Sequence, residues 1–211
     1  MKTKKTINRI AASTIIMAVI IFLANPLQSA AQANYKILTN PDVAIKVLGS
    51  SNVHDWTETA TGLESQGEFK FEGGVLRTLR SFSFSVSAKN LKSEHSSMDD
   101  RTYKTIKADQ FPKIIYKLSS AVVTTVQKNK YTIKATGELT IAGATQTVTL
   151  NVTAVVNSDN TITCTGSQKI QLTDYKMEPP SFMLGAMKVK NDLTIQYNLI
   201  YKNTQLLTNN N

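Results

Sequence analysis

Two short segments of the sequence combine residue types that could perform acid–base or metal chemistry. Residues 50–56 read SSNVHDW, and residues 95–100 read HSSMDD. A serine, a histidine and an aspartate form a nucleophilic site when they converge in space, and histidines with carboxylates can bind a metal ion. Both possibilities depend on where the surrounding elements point these side chains.

The local pattern argues against both kinds of chemistry. Neighbours in a β-strand point to opposite faces, so His54 and Asp55 cannot both face one substrate unless the strand bulges. The sequence has no G-x-S-x-G nucleophile elbow, and its histidines and acids lack the spacing of a metal site. We therefore expect no enzyme, no metal and no cofactor, and we interpret His54, Asp55 and Trp56 as residues that fix a strand end.

The elements that carry these segments are predicted to be β-strands, because apolar and polar residues alternate along most of the chain. The strongest case is residues 137–156, which read GELTIAGATQTVTLNVTAVV and have a turn at Ala142 and Gly143; this pattern predicts a hairpin. Further strands are predicted at 43–48, 62–71, 81–91, 113–123, 161–172 and 193–201. About eight strands at this spacing indicate an all-β barrel or sandwich.

Two segments interrupt the alternation. Ser97 followed by two aspartates is typical of a helix N-cap, so we predict one short helix at residues 98–108 that lies across one end of the sheet and ends before Phe111-Pro112. Residues 174–188 contain Met183 and Met187 and are predicted to be a long loop. Cys164 is the only cysteine, so no internal disulfide forms, and we interpret it as a small buried apolar residue.

The first 33 residues are predicted to be a cleaved secretory signal peptide. Basic residues precede an apolar run at 10–24, and Ala31-Gln32-Ala33 is an A-x-A cleavage signal. The remaining chain would be one domain at 34–203 with a polar tail at 204–211, in a protein that is exported to the periplasm or secreted.

The charge of the predicted mature chain is modest. Removing the four basic residues of the leader leaves 20 Lys and Arg against 15 acidic residues, a net charge of +5. The lysines are scattered singly, so no nucleic-acid partner is expected. A transient contact with an anionic membrane surface remains open, as does a homodimer.

Three blocks of the sequence, in order, resemble one known family. The first is the SSNVHDW segment, the second runs from Asp100-Arg101-Thr102-Tyr103-Lys104 to Phe111-Pro112-Lys113-Ile114, and the third is the G-x-L-T-I-x-G block with its following strand. Together they are similar to the YceI-like, polyisoprenoid-binding family of exported bacterial proteins, over about residues 35–202. The chain departs from many relatives in the order Asp100-Arg101 and at residues 172–176.

The resemblance implies an eight-stranded antiparallel, lipocalin-like β-barrel that holds a long isoprenoid chain, such as a quinone tail. The cavity lining that we predict on this basis comprises Trp56, Phe82, Phe84, Val86, Tyr116, Leu118, Ile133, Leu139, Leu150, Val152, Met183, Met187, Ile195 and Tyr197. The alternation alone is equally consistent with a filled core, and a ligand-free interaction module of the cell envelope is the alternative function. The strand pattern therefore predicts which side chains face the barrel interior, but not whether that interior is filled by side chains or holds a ligand.

Overall fold

Strands make up most of the computed structural model, which describes residues 31–204. One α-helix, α1 (Ser96–Thr105), and two 3-10 helices at Ala88–Asn90 and Leu172–Tyr175 complete the fold. The strands in chain order are β1 (Ala31–Ile37), β2 (Ala44–Ser50), β3 (Asp55–Ala60), β4 (Glu64–Glu72), β5 (Val75–Ser87), β6 (Leu91–Lys92), β7 (Lys113–Gln127), β8 (Lys130–Ile141), β9 (Ala144–Val156), β10 (Ile162–Gln171), β11 (Ser181–Phe182), β12 (Met187–Lys188) and β13 (Asp192–Asn203).

Eight of these strands close into an antiparallel barrel, which confirms the predicted fold class. Each is hydrogen-bonded to the next in the order β1-β4-β5-β7-β8-β9-β10-β13, and β13 returns to β1 through the pairs Tyr35–Asn203 and Ile37–Tyr201. Closure leaves no free edge in the ring. The other half of β13 pairs with β2, from Ala44–Asn198 to Leu48–Thr194, so β2, β3 and β6 extend the wall at one end of the barrel.

The hairpin predicted at residues 137–156 is formed by β8 and β9. The two strands pair without a register shift from Lys130–Val155 to Ile141–Ala144. Ala142 and Gly143 both have positive φ angles, 49° and 76°, which suits a two-residue hairpin turn. Position 143 requires glycine because a Cβ there would lie 2.4 Å from the Phe111 ring. The turn thus packs against the end of the segment that follows α1.

Three details of the sequence prediction were wrong. The ring uses β1, which was not predicted as a strand, because its first residues were assigned to the leader; the predicted strand at 43–48 is β2. Helix α1 begins at Ser96 rather than Met98, and its N-cap residue is His95, with no side-chain cap. The Asp99 carboxylate instead accepts hydrogen bonds from the backbone N–H and hydroxyl of Ser93, both at 2.7 Å.

The third difference concerns the predicted loop at 174–188. It contains part of a 3-10 helix and a small ribbon made of β11 and β12, paired through Ser181–Lys188 and Phe182–Met187. Two cross-strand pairs and a turn are too short to give a periodic sequence signal.

The predicted leader and tail fall largely outside the described residues, which include only Ala31–Ala33 of the first and Thr204 of the second. Within residues 31–204, no helix has the length and hydropathy needed to cross a membrane.

Candidate functional site

A cavity of about 350 Å³ lies inside the barrel. Strand β13 lines it over most of its length, because the alternate residues Leu193, Ile195, Tyr197, Leu199 and Tyr201 all face inward. At about 3.4 Å per residue this run covers roughly 27 Å of strand. The cavity is therefore long and narrow, and it extends from the α1 end of the barrel toward the opposite end.

Aromatic rings close the inner end of the cavity. The Phe82 ring lies edge-on to Tyr201, with 5.8 Å between centroids, and Phe69 lies 6.1 Å from the same tyrosine. Tyr35 packs edge-on against Phe69 at 5.2 Å. Phe69 and Tyr201 are almost completely buried, so this cluster forms a solid floor.

The polar groups in the middle of the cavity are already occupied by the barrel wall. The hydroxyl of Tyr116 donates to the Ala135 carbonyl at 2.9 Å, and that of Tyr197 donates to the Asn151 carbonyl at 3.1 Å. Burial raises the pKa of the Tyr116 hydroxyl and of the Cys164 thiol to about 12. Both groups are therefore neutral at physiological pH, and the middle of the cavity presents rings and aliphatic side chains.

The opposite end is the mouth, which lies between helix α1 and the β11–β12 ribbon. The helix contributes Met98, Arg101 and Thr102 to the lining, and the ribbon contributes Phe182 and Met187. The Arg101 guanidinium lies over the Phe182 ring, 4.4 Å from its centroid, a cation–π contact that bridges the two elements. The mouth is thus covered by two small elements rather than by the sheet.

A buried carboxyl lies at this end of the cavity. Glu58 of β3 is only 1% exposed, and its Oε1 accepts a hydrogen bond from the Thr102 hydroxyl of α1. Burial raises the pKa of Glu58 to about 7; the hydrogen bond from Thr102 opposes this rise and the charge of Asp99 adds to it. A carboxyl of this kind is a mixture of acid and carboxylate near neutral pH.

Trp56 lies two residues before Glu58 on the same inward face of β3. Its ring covers Gly49, the paired residue of β2, where a Cβ would lie 2.1 Å from Cζ2 of the indole. The indole Nε1 is buried and has no hydrogen-bond partner. Trp56 is therefore a cavity-lining residue that holds a buried, unpaired donor.

Most of the predicted lining residues are found together around this cavity. Twelve of the fourteen line it: Trp56, Phe82, Phe84, Val86, Tyr116, Ile133, Leu139, Leu150, Val152, Met187, Ile195 and Tyr197. Leu118 does not, because it packs between the buried clusters of the wall, next to a register shift in the β7–β8 pairing. Met183 does not either, because it lies at the ribbon turn with its side chain 74% exposed.

Ser51 and Asp55, which were considered for catalysis with His54, do not form a nucleophilic site with it. The Ser51 hydroxyl is used within its own turn, where it donates to the His54 carbonyl and accepts from the backbone N–H groups of Val53 and His54. His54 lines the cavity and Asp55 does not, as the strand period requires. Within residues 31–204, no group of three His, Cys, Asp or Glu side chains is arranged to hold a metal ion.

Sequence reasoning missed Glu58, Arg101 and Thr102 as parts of the site. A usable signal existed for the first, because β3 reads DWTETA and its alternation puts Trp56, Glu58 and Ala60 on one face. A glutamate between a tryptophan and an alanine on an inward face is unusual enough to mark a special position. The helix residues carried no comparable signal.

Comparison with solved structures supports the fold. Burkholderia cenocepacia BcnA has 18% identity and a TM-score of 0.60, covering 74% of this chain and 94% of that one. A polyisoprenoid-binding domain from Saccharophagus degradans has 9% identity and a TM-score of 0.60, covering 80% and 98%. The Campylobacter jejuni YceI protein has 16% identity and a TM-score of 0.50, covering 79% and 87%. At these identities the likeness shows a shared fold.

No curated protein matches the sequence. The family comparison is more decisive, because the YceI-like domain matches residues 42–201, which include every barrel strand after β1 except the last two residues of β13. This match covers most of the sequence together with both the cavity and the elements at its mouth. The chain therefore belongs to the YceI-like domain family.

Proposed function

We propose that this protein binds a polyisoprenoid or a similar long-chain lipid inside its barrel, sequesters or carries it, and catalyses no reaction. The observation that carries this proposal is the continuous apolar cavity of about 350 Å³, a size within the range of about 300–1,000 Å³ that is typical of ligand pockets. A filled barrel, as the interaction-module alternative requires, would leave no such space.

The energetics favour an apolar chain as the occupant. Each buried CH₂ group contributes about 0.8 kcal/mol, so a tail gains affinity without any specific polar contact. An apolar cavity of about 150 Å³ holds one benzene ring. By that proportion, a cavity of about 350 Å³ holds a chain on the order of 14 carbon atoms.

One structural relative supports the same class of ligand. The Saccharophagus degradans protein with a TM-score of 0.60 is described as a polyisoprenoid-binding domain, and the chain shares its barrel. An isoprenoid tail also suits the lining, since branched methyl groups pack well among Val, Ile, Leu and aromatic side chains. Quinone-like lipids with isoprenoid tails fall within this class.

We also propose that the protein is exported and takes its ligand from a membrane. The basic start, the apolar run and the A-x-A signal support export, and N-terminal sequencing of the protein from its host should find Asn34 first. The turn of the β11–β12 ribbon carries two exposed apolar residues, Met183 and Leu184, next to the mouth. Such a tip is suited to a transient contact with lipid.

The most direct test is to identify what the protein carries. Protein purified from its own host would be analysed by native mass spectrometry, followed by solvent extraction and lipid analysis. We expect a bound species whose mass corresponds to a lipid with a long hydrocarbon chain. Protein that carries no lipid and also fails to bind farnesol, a fifteen-carbon prenyl alcohol, in solution would overturn the proposal.

A pair of matched variants tests whether the cavity is the site. Val152 lines the cavity, whereas Val122 lies on the outer face of β7 and is 63% exposed. Val152→Phe should lower lipid retention at nearly unchanged stability, because the added ring fills existing space. Val122→Phe should change neither property. In a solid core the first change would instead cost about 1–3 kcal/mol of stability from overpacking and leave lipid binding as it was.

A further inference from the structure

We propose that Trp56 and Glu58 form a subsite at the mouth that binds the head group of the lipid, and that this head group is uncharged and carries a hydroxyl. This inference rests on the proposed function, because it assigns one end of a ligand whose tail fills the barrel. It adds a chemical selectivity that an apolar tunnel alone cannot provide.

The two side chains are placed for a shared ligand by the register of the sheet. They are alternate residues of β3, so both face inward and their Cα atoms are about 7 Å apart. Gly49 leaves the space that the indole ring occupies. The residue of β2 that pairs with Glu58 is Val47, which also lines the cavity. The carboxyl therefore lies at the boundary between the apolar part of the cavity and the mouth.

Both groups have unused hydrogen-bonding capacity. Four buried side-chain atoms in the described part of the chain have no hydrogen-bond partner, and Nε1 of Trp56 is the only one of them that belongs to a cavity-lining residue. Glu58 accepts one hydrogen bond, from Thr102, although a carboxyl has room for more. A hydroxyl can accept from the indole N–H and donate to the carboxyl at the same time, so one such group satisfies both.

The rest of the cavity offers no comparable place for a polar group. The hydroxyls of Tyr116 and Tyr197 donate to the wall, and that of Tyr201 is hydrogen-bonded to Ser65 at 2.9 Å. The side-chain amide of Gln168 donates to the Lys169 carbonyl at 2.9 Å. A polar head group therefore finds its partners at the mouth, and the chain extends from there toward the aromatic floor.

The Glu58 carboxyl disfavours an anionic head group at the subsite. Glu58 bears negative charge whenever it is ionised, and Asp99 adds to the field at that position. Arg101 lies over the Phe182 ring at the outer side of the mouth. The two histidines that line the same end are His54 and His95. A diphosphate placed against Trp56 would thus lie directly beside a buried carboxyl.

Three probes with the same fifteen-carbon chain separate these effects: farnesol, the hydrocarbon farnesene and farnesyl diphosphate. Binding of each probe to delipidated protein would be measured by native mass spectrometry, and the fluorescence of Trp56, the only tryptophan in the chain, would report contact at the mouth. We expect farnesol to bind about tenfold more tightly than farnesene, as one satisfied buried hydrogen-bonding pair would give, and at least tenfold more tightly than the diphosphate. Farnesol should also shift the indole emission, whereas farnesene should not.

Two substitutions at one position distinguish hydrogen bonding from charge. Glu58→Leu should reduce the preference for the alcohol over the hydrocarbon, because only the indole N–H would remain to bond the hydroxyl. Glu58→Gln should keep that preference, because an amide still donates and accepts, but it should weaken the discrimination against the diphosphate. The matched control is Glu138→Leu, since Glu138 is an exposed residue of β8 that does not line the cavity; it should behave as the parent protein does.

The possible results identify which proposal fails. If none of the probes binds, the proposed lipid-binding function is wrong. If farnesol and farnesene bind equally to the parent protein, or if the alcohol preference is as large in Glu58→Leu as in the parent protein, the head-group subsite is wrong while lipid binding stands. If Glu58→Leu does not fold, Glu58→Gln still decides: unchanged discrimination against the diphosphate would overturn the role of the carboxyl.

Discussion

The buried carboxyl of Glu58 should make the stability of the protein fall as the pH rises. Burial, the largest cause, and the charge of Asp99 raise its pKa from 4.5 to about 7, against the opposing hydrogen bond from Thr102. Below pH 4.5 the carboxyl is protonated in both the folded and the unfolded chain, so it has no differential effect. Between these values the unfolded chain has released a proton that the folded chain still holds, and the free energy of unfolding therefore decreases with pH.

The size of the effect follows from the size of the shift. A displacement of the pKa from 4.5 to about 7 corresponds to about 3 kcal/mol, at about 1.4 kcal/mol per unit. Glu58→Gln removes this titration and preserves the shape of the side chain and its ability to accept from Thr102. We expect the variant to be more stable relative to the parent protein at pH 8.5 than at pH 4.5 by about 3 kcal/mol.

The assay is urea unfolding of ligand-free protein at several pH values between 4.5 and 8.5, followed by the fluorescence of Trp56. Taking the difference between variant and parent at each pH cancels the titration of all other groups. Glu138→Gln is the control, because it makes the same substitution on the exposed face of β8, and the result for Glu58→Gln is compared with it. A pH-independent difference for Glu58→Gln would refute the reasoning, since the carboxyl would then titrate alike in both states.

Three further outcomes can be checked. Gly49→Ala should displace the Trp56 ring, because the new Cβ would lie 2.1 Å from the indole. We expect the free energy of unfolding in urea to fall by about 1–3 kcal/mol and the tryptophan emission to change. An unchanged emission would contradict the packing of Trp56 over Gly49. Replacing Met183 and Leu184 together by serine should slow lipid uptake from vesicles but leave stability unchanged, because both side chains are exposed. Equal uptake rates in the variant and the parent protein would show that the ribbon turn has no role in taking up lipid. Ligands longer than farnesol should increase hydrogen exchange in α1, as measured by mass spectrometry, and equal protection with short and long ligands would show that the helix stays in place.

Much of the wall could be predicted from the sequence because strand alternation is a local signal. The inward positions of β5, for example, follow directly from the run of serines between Phe82, Phe84 and Val86. The register of β8 with β9 followed from the Ala142-Gly143 turn. Closure was harder to predict, because β1 joins the ring through partners at least 30 residues away, and no local pattern reports a pairing of that kind.

The cavity itself was beyond local reasoning. Alternation shows that Leu150 and Val152 face inward, but the alternation pattern is the same for a filled and for an open barrel. The volume of the cavity depends on how all the inward side chains pack against one another. The mouth depends on residues that are distant in sequence, such as Thr102 and Glu58, which are 44 positions apart. Their contact requires the helix to fold back over β3, and this is a property of the tertiary structure alone.

The cavity volume also determines how a long tail can be accommodated. The cavity has room for on the order of 14 carbon atoms, so under the proposed function a longer chain would have to widen the mouth. That movement breaks the Arg101–Phe182 contact and the Thr102–Glu58 hydrogen bond, which together contribute on the order of 2 kcal/mol. Burying one more isoprene unit of five carbons gains roughly 4 kcal/mol. The free energy gained therefore exceeds the free energy lost at the mouth. Separating two strands of the barrel would instead break many backbone hydrogen bonds at once, so we expect α1 and the β11–β12 ribbon to move.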